Sequence, residues 1–320
     1  MVEVLRRDVL AARERITGEV QETPLLPLEI GGKRVWFKAE CLQTGGAFKL
    51  RSASNRLLQL SPEERQRGVV AFSSGNHAQG VAIAARRLRI PAAIVMPADA
   101  PPLKVDGTRE QGAEIVFYDR AKQDRVEIAA RLAAERGATL VPSFDDPHVV
   151  AGQGTAGLEI LDQLDASPRR ILVPTGGGGL AAGIALACPE AEIVCVEPEG
   201  WDDMGRSVAC GTIVPVAPDA PPTLCDALQT TRVSPITFGI IYASGASSVT
   251  VTEAEMKDAI RFAWRALELV VEPGGAVALA ALLSGKVAVE EGTVVVLSGG
   301  NIDPALHEQI VSTAPARAET

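Results

Sequence analysis

Lys49 is one of only seven lysines, against 24 arginines, and it stands in the run Gly45-Gly46-Ala47-Phe48-Lys49-Leu50-Arg51, between two apolar side chains at the expected start of a helix. A lysine works as a nucleophile or base only while its amine is neutral, a state that burial among apolar groups promotes. A surface lysine opening an amphipathic helix would look the same in isolation. Three other segments change the balance. Each is an apolar, strand-like run that empties into a polar, glycine-rich loop: 69–72 into Ser73-Ser74-Gly75-Asn76, 171–174 into Thr175 and then Gly176, Gly177, Gly178 and Gly179, and 294–297 into Ser298-Gly299-Gly300-Asn301. In an open α/β sheet, ligands bind outside the carboxyl ends of the strands, where helix N-termini present free N–H groups. Three such ends predict one crevice built from distant segments.

An amine beside a phosphate-binding turn suits a pyridoxal phosphate enzyme. There is a rival reading. Gly177-x-Gly179-x-x-Ala182 satisfies the dinucleotide fingerprint, and Glu197 ends the next strand at the distance expected of a ribose ligand. A nicotinamide-dependent protein would leave Lys49, the 73–77 segment and the 298–301 segment unexplained. The hydroxyls and amide of Ser73, Ser74 and Asn76 could hold a carboxylate and a phenolic oxygen, although Ser and Asn also simply cap helices. With His77, His148 and His307 the only histidines, no His triad or His metal cluster is expected, and His77 reads as a structural hydrogen bonder.

Strands alternate with helices nearly throughout, the signature of βαβ units. Strands are expected at 35–39, 68–74, 92–97, 114–118 and 139–142, and helices at 49–60, 76–88, 103–112, 122–137, 253–268 and 275–284. Residues 143–157 read as a crossing between domains, 199–222 as the least regular part, the first ten residues as an amphipathic helix and Ala314–Thr320 as a frayed tail. The chain has 320 residues, 47% of them apolar, enough for two domains with large cores. A net charge of −9 without a basic tract argues against nucleic acid or an anionic membrane as partner. No apolar run reaches the roughly 18 residues of a membrane span, and the start lacks the order of a signal peptide. Five cysteines without CxxC spacing fit reduced thiols, so a cytoplasmic location is expected.

Taken together, Lys38-x-Glu40-x-x-Gln43, Ala47-Phe48-Lys49-x-Arg51, Ser73–Gly80, Ala151-Gly-Gln-Gly-Thr155, Gly176–Leu180, Glu272-Pro-Gly-Gly275 and Ser298–Asn301 resemble the serine/threonine dehydratase and serine racemase family, over nearly the whole chain and in order. The resemblance implies the tryptophan-synthase-β fold (fold type II) of pyridoxal phosphate enzymes: two open, mostly parallel α/β sheets with helices on both faces. The larger domain would comprise 1–55 and 146–320, and the smaller, mobile one 56–145.

The resemblance also implies roles. Lys49 carries pyridoxal 5′-phosphate, Gly176 to Gly179 and the Leu180 N–H hold its phosphate, Asn76 bonds its 3′-oxygen, Phe48 packs on its ring and Ser298 faces the ring nitrogen. Ser73, Ser74, Asn76 and His77 hold the substrate carboxylate, with Arg125 near the entrance and Ser74 as the opposite-face acid/base of racemases. Glu197, Asp203 and the Trp201 carbonyl would bind Mg²⁺ or Ca²⁺; two solvated acids in a polar loop are the plainer reading. The implied activity is β-elimination of L-threonine or L-serine to a 2-oxo acid and ammonia, by a homodimer. Serine racemisation and 3-hydroxyaspartate ammonia-lyase activity are the alternatives. The chain has no room for a C-terminal regulatory domain, so isoleucine feedback is not expected. Ala47 stands where the family often has Ser, Ser52 where Gly is usual and Trp201 where a small residue is usual, which leaves substrate preference open.

Overall fold

The computed structural model describes residues 3–100 and 102–313. The strands there are β1 (Leu25–Ile30), β2 (Lys33–Lys38), β3 (Val69–Phe72), β4 (Ala92–Pro97), β5 (Glu114–Tyr118), β6 (Thr139–Leu140), β7 (Arg170–Pro174), β8 (Glu192–Pro198), β9 (Ser247–Val251) and β10 (Thr293–Val296). The helices are α1 (Arg6–Ile16), α2 (Lys49–Leu58), α3 (Pro62–Arg67), α4 (Asn76–Leu88), α5 (Pro102–Glu110), α6 (Arg125–Arg136), α7 (Pro147–Gln163), α8 (Gly179–Ala187), α9 (Asp203–Cys210), α10 (Pro235–Ala243), α11 (Glu253–Leu267), α12 (Pro273–Leu283) and α13 (Pro304–Ser312). One sheet runs β1-β2-β10-β7-β8-β9, the other β5-β4-β3-β6. All pairings are parallel except β1 with β2. The central strands are short β-branched runs buried on both faces, as parallel sheets under helices require. Helix α12, uncharged on every side, is buried all round.

The expected elements are present, with three corrections. The edge strand β1 went unread because Pro27 breaks the strand pattern; an edge tolerates proline, and Gly31 and Gly32, both at positive φ, close the hairpin. The supposed crossing at 143–157 is largely helical. Its glycines lie on α7 because two helices press against it: a Cβ on Gly152 would sit 2.8 Å from the Arg51 carbonyl oxygen of α2, and one on Gly157 2.8 Å from Ala187 Cβ of α8. The irregular region 199–222 contains α9. The amphipathic helix near the start begins at Arg6, and the tail Ala314–Thr320 lies outside the described residues.

One buried cluster joins these pieces. Arg51, fully buried on α2, forks to Glu40 (Nε–Oε2 and Nη2–Oε1, both 2.8 Å) and to Glu159 of α7 (Nη1–Oε1 2.5 Å, Nη2–Oε2 2.8 Å). Lys38, at the end of β2, donates to Glu159 (2.6 Å) and to the Thr23 carbonyl (2.7 Å). Two cations face two anions, so no charge is left uncompensated. Removing one member would strand its partners. Arg51→Met is therefore expected to lower unfolding free energy by about 3–5 kcal/mol in chemical denaturation; a loss below about 1 kcal/mol would show the cluster to be dispensable.

Candidate active site

β7 and β10 are neighbours, so their carboxyl ends open side by side. The loop before Lys49 is laid over the end of β10: Ala47 bridges Gly299, the Phe48 N–H donates to Ser298 O (3.2 Å) and the Gly300 N–H to Gly46 O (2.8 Å). From the other sheet, Asn76 at the end of β3 donates through Nδ2 to Glu272 Oε1 (2.5 Å) and accepts from Asn301 Nδ2 (2.8 Å). Helix α4 passes close over Lys49 because residue 80 is glycine; a Cβ there would lie 3.0 Å from the Lys49 carbonyl carbon. The three strand ends thus meet in one crevice.

Lys49 opens α2 and donates to Ser143 O (3.0 Å), its amine 4.9 Å from the centre of the Phe48 ring. Its side chain is only half-buried by area, yet the amine end is enclosed, and desolvation pushes its pKa down to about 8 against a smaller opposing pull from Glu272. His77 is buried with Nε2 2.9 Å from Val141 O. Burial first, and then the Lys49 charge, push it down to about 3, so it is neutral, and Nδ1 has no partner. Glu272 moves the other way: burial, with Asp226 adding, lifts it to about 8. Ser73 and Ser74 are half-buried, and Ser73 Oγ accepts the Gly75 N–H (3.1 Å), a turn-capping bond.

The turn after β7 is wholly buried. The Thr175 N–H still pairs across the sheet with Val196 O (2.9 Å), and the next backbone bond runs from the Ala182 N–H to Gly178 O (2.8 Å). The intervening N–H groups, Gly176 to Ala181, have no backbone acceptor and face the start of α8. Side chains are excluded. Gly178 has φ +82°, a Cβ on Gly176 would lie 3.0 Å from Leu228 Cα, one on Gly177 would overlap the Phe144 ring, and one on Gly179 would meet Gln153 Oε1. The result is an anion cradle of bare N–H groups. Ser298 is buried just beyond β10, the strand beside β7.

Four predicted residues lie outside these contacts. Glu197 ends β8 and accepts from the Met204 and Gly205 N–H groups and from Ser248 Oγ, each at 2.9 Å; burial pushes it up to about 8. Burial pushes Asp203 up to about 7 against the pull of nearby backbone N–H groups, its own and that of Val233, and neither carboxylate oxygen completes a hydrogen bond among the described residues. Trp201 is tied by its indole N–H to Pro221 O (2.8 Å). Among the described residues no three His, Cys, Asp or Glu side chains cluster as a metal site. Arg125 is exposed at the start of α6, its guanidinium 5.9 Å over the ring of Phe72, the residue before Ser73, and it forms no ion pair among the described residues.

Several residues of the crevice carried no expected role. Glu272, Asn301 and Gln153 were visible only as parts of motifs. Ser143 acts through its carbonyl, which no residue type announces.

Comparison with known proteins follows this geometry. Residues 16–300 match the family described as pyridoxal-phosphate dependent enzyme. The chain is 45% identical over 309 residues to an L-threo-3-hydroxyaspartate ammonia-lyase of a Pseudomonas species, covering 92% of this chain and 95% of that protein. It is 41% identical over 317 residues to a serine racemase of Schizosaccharomyces pombe, covering 95% and 96%. Among solved structures, a threonine deaminase of T.th. superposes with a TM-score of 0.86 at 41% identity, covering 93% and 98%. The match decides the cofactor in favour of pyridoxal phosphate over a nicotinamide: the chain belongs to the pyridoxal-phosphate dependent enzymes of the ammonia-lyase and racemase kind, with the fold of threonine deaminase and serine racemase.

Proposed function

We propose that this enzyme eliminates the β-hydroxyl of a 3-hydroxy amino acid, releasing a 2-oxo acid and ammonia. The observation that carries the reading is the enclosed, readily neutralised Lys49 amine, set between an anion cradle and a second loop of hydroxyl and amide groups. The cradle fits the cofactor's phosphate: its N–H groups are free and no side chain can enter. When bound, pyridoxal phosphate supplies a sink for the electron pair left at Cα. In this reading Gly176, Gly177, Gly178, Gly179 and the Leu180 N–H hold the phosphate, Asn76 the 3′-oxygen, Phe48 one ring face and Ser298 the ring nitrogen. Ser298 would offer that nitrogen a hydroxyl instead of a carboxylate, a partner that would not stabilise its protonated form. Lys49 takes the α-proton, while Ser73, Ser74, Asn76 and His77 hold the substrate carboxylate. Residues 56–145 form the smaller unit that closes over the substrate and excludes water. The homodimer and the cytoplasmic location stay part of the proposal. All five cysteines are free, and among the described residues no helix is long and apolar enough to cross a membrane.

On substrate choice, Arg125 is the discriminating residue. A guanidinium over the ring of Phe72, the residue before Ser73, and without an ion pair among the described residues suits a second carboxylate, and the likeness to an L-threo-3-hydroxyaspartate ammonia-lyase points the same way. We place L-threo-3-hydroxyaspartate first, ahead of L-threonine and L-serine. Losing one charge-assisted contact costs about 1.5–3 kcal/mol. Arg125→Ala should therefore cut kcat/KM for hydroxyaspartate by about 10- to 100-fold, and that for L-threonine by less than about threefold. Equal losses on both substrates would refute this role. Racemisation is the second reading, favoured by Ser74 in the crevice and the likeness to a serine racemase; chiral analysis of recovered L-serine tests it.

Lys49 must be neutral to attack the cofactor's aldehyde. Its pKa near 8 makes the neutral fraction of the cofactor-free protein fall about tenfold per pH unit below that value. The rate of covalent attachment, followed by absorbance, should rise between pH 6 and 8 and then level off, and Lys49→Ala should abolish it. A rate still climbing steeply at pH 9.5 would place the amine in an ordinary aqueous setting.

The unpartnered, buried oxygens of Asp203 fit a hard cation, and Glu197 Oε1, with a single donor, keeps a lone pair for the same ion. Glu197, Asp203 and the Trp201 carbonyl would hold Mg²⁺ or Ca²⁺ in a structural role. Millimolar Mg²⁺ is expected to raise the melting temperature of the wild type and to leave Asp203→Asn unmoved. No rise in either protein would remove the metal from the proposal.

A further inference from the structure

Gln153 lies inside α7 with no solvent exposure. Its Nε2 donates to Ser143 O (3.0 Å) and Ser52 Oγ (3.3 Å). Both acceptors belong to the surroundings of the reactive lysine: Ser143 O also receives the Lys49 amine, and Ser52 Oγ donates to Lys49 O (2.9 Å). These bonds settle the carboxamide's orientation, because turning it over would set its oxygen against Ser143 O. The oxygen, Oε1, has no partner and lies against Gly179 at the mouth of the anion cradle. Native interiors rarely leave a buried acceptor unmatched. An acceptor is also the wrong group to place beside a fully ionised phosphate, but the right one for a phosphate that keeps a proton.

We propose that Gln153 Oε1 accepts a hydrogen bond from a protonated oxygen of the cofactor's phosphate, positioning that group and helping it retain one proton. The inference rests on assigning the phosphate to Gly176–Gly179, as in the proposed function. The cradle N–H groups pull toward the dianion, so the side chain's effect is read as a difference between proteins. Charged groups around Gln153 are few. From α2, Lys49 shares its Ser143 acceptor. Before α7, Asp146 is taken by Arg56 (3.1 Å), while Asp145 and, on α7, His148 are exposed or partly so. Glu159 of α7 is held by Arg51 and Lys38, and α8 carries no charged residue.

The test is a ³¹P NMR pH titration of the holoenzyme, wild type against Gln153→Met, with Kd for pyridoxal phosphate and for pyridoxal measured at pH 6 and 8.5. A free phosphate monoester titrates near about 6. The wild-type midpoint is expected to lie about one pH unit above that of the variant, a tenfold difference in proton affinity. At pH 6 the variant's preference for pyridoxal phosphate over pyridoxal should fall, by up to about tenfold; at pH 8.5 it should hold or rise. Coincident midpoints overturn the proposal, as does an equal loss of preference at both pH values, the mark of a merely structural role. A wild-type phosphate fully ionised from pH 6 to 8 overturns it without any variant. Gly177→Ala separates the two layers. If it abolishes the phosphate preference while Gln153→Met leaves the midpoint unchanged, the cradle stands and the role of Gln153 falls. If Gly177→Ala changes nothing, the cradle assignment itself is wrong.

Discussion

The Arg51 guanidinium, without solvent and with both faces of its fork filled, is the constraint on which the rest depends. It stands two residues after Lys49 on α2, and its partners come from the end of β2 and from α7. Burying two cations and two anions is costly in itself, and it is tolerable only because the geometry matches every charge. That requirement fixes three backbones relative to one another. α7 can then approach α2 only where it has no side chain, at Gly152, and α8 only at Gly154 and Gly157. The same α8 begins with the anion cradle. The distance between reactive amine and cradle is thus set by a chain of close contacts that starts at an ion cluster.

The cluster and the crevice treat buried polarity in opposite ways. In the cluster, desolvation is compensated: burial is the largest single effect on Glu40, but Arg51, Lys38 and Thr23 together outweigh it and hold the carboxyl below its usual range. In the crevice, desolvation is left to act. Lys49 falls toward neutrality, Glu272 rises toward its protonated form, and His77 Nδ1 and Gln153 Oε1 lack partners. A protein that matched those groups internally would be more stable and would have nothing left with which to hold a ligand. Asp203 shows the same signature some way off, which supports its place in the proposed cation site and sets it apart from a solvated surface acid.

Much of this was legible in the sequence. Parallel strands buried on both faces announce themselves as short β-branched runs, and a strand that ends in glycines or in Ser-Ser-Gly-Asn marks the side of the sheet where ligands bind. That sufficed to bring Lys49, Asn76 and the Gly176–Gly179 turn forward as candidates. What stayed hidden has physical reasons. Glycine means both a turn and a place where helices touch, so 151–157 read as a loop until α2 and α8 were seen against it. Proline on β1 is excluded from a central strand but not from an edge. Ser143 contributes a carbonyl, Glu272 matters through a pKa set by burial, and neither property belongs to a residue type.

The division of the site between two sheets explains why a dipeptide as ordinary as Gly75-Asn76 matters. On the proposed reading most of the cofactor's anchors come from the six-stranded sheet and the 45–49 loop, whereas Ser73, Ser74, Asn76 and His77 come from the end of β3 in the four-stranded sheet. Asn76, which on that reading also serves the cofactor's 3′-oxygen, donates through its amide to Glu272 and accepts from Asn301, both beside β10. Its orientation is therefore fixed from the cofactor side, with one amide hydrogen still available to a ligand. On the proposed reading, closure of the smaller unit would have to strain those two bonds. Glu272, lifted toward its protonated form by burial, receives one of them and lies within reach of the Lys49 charge.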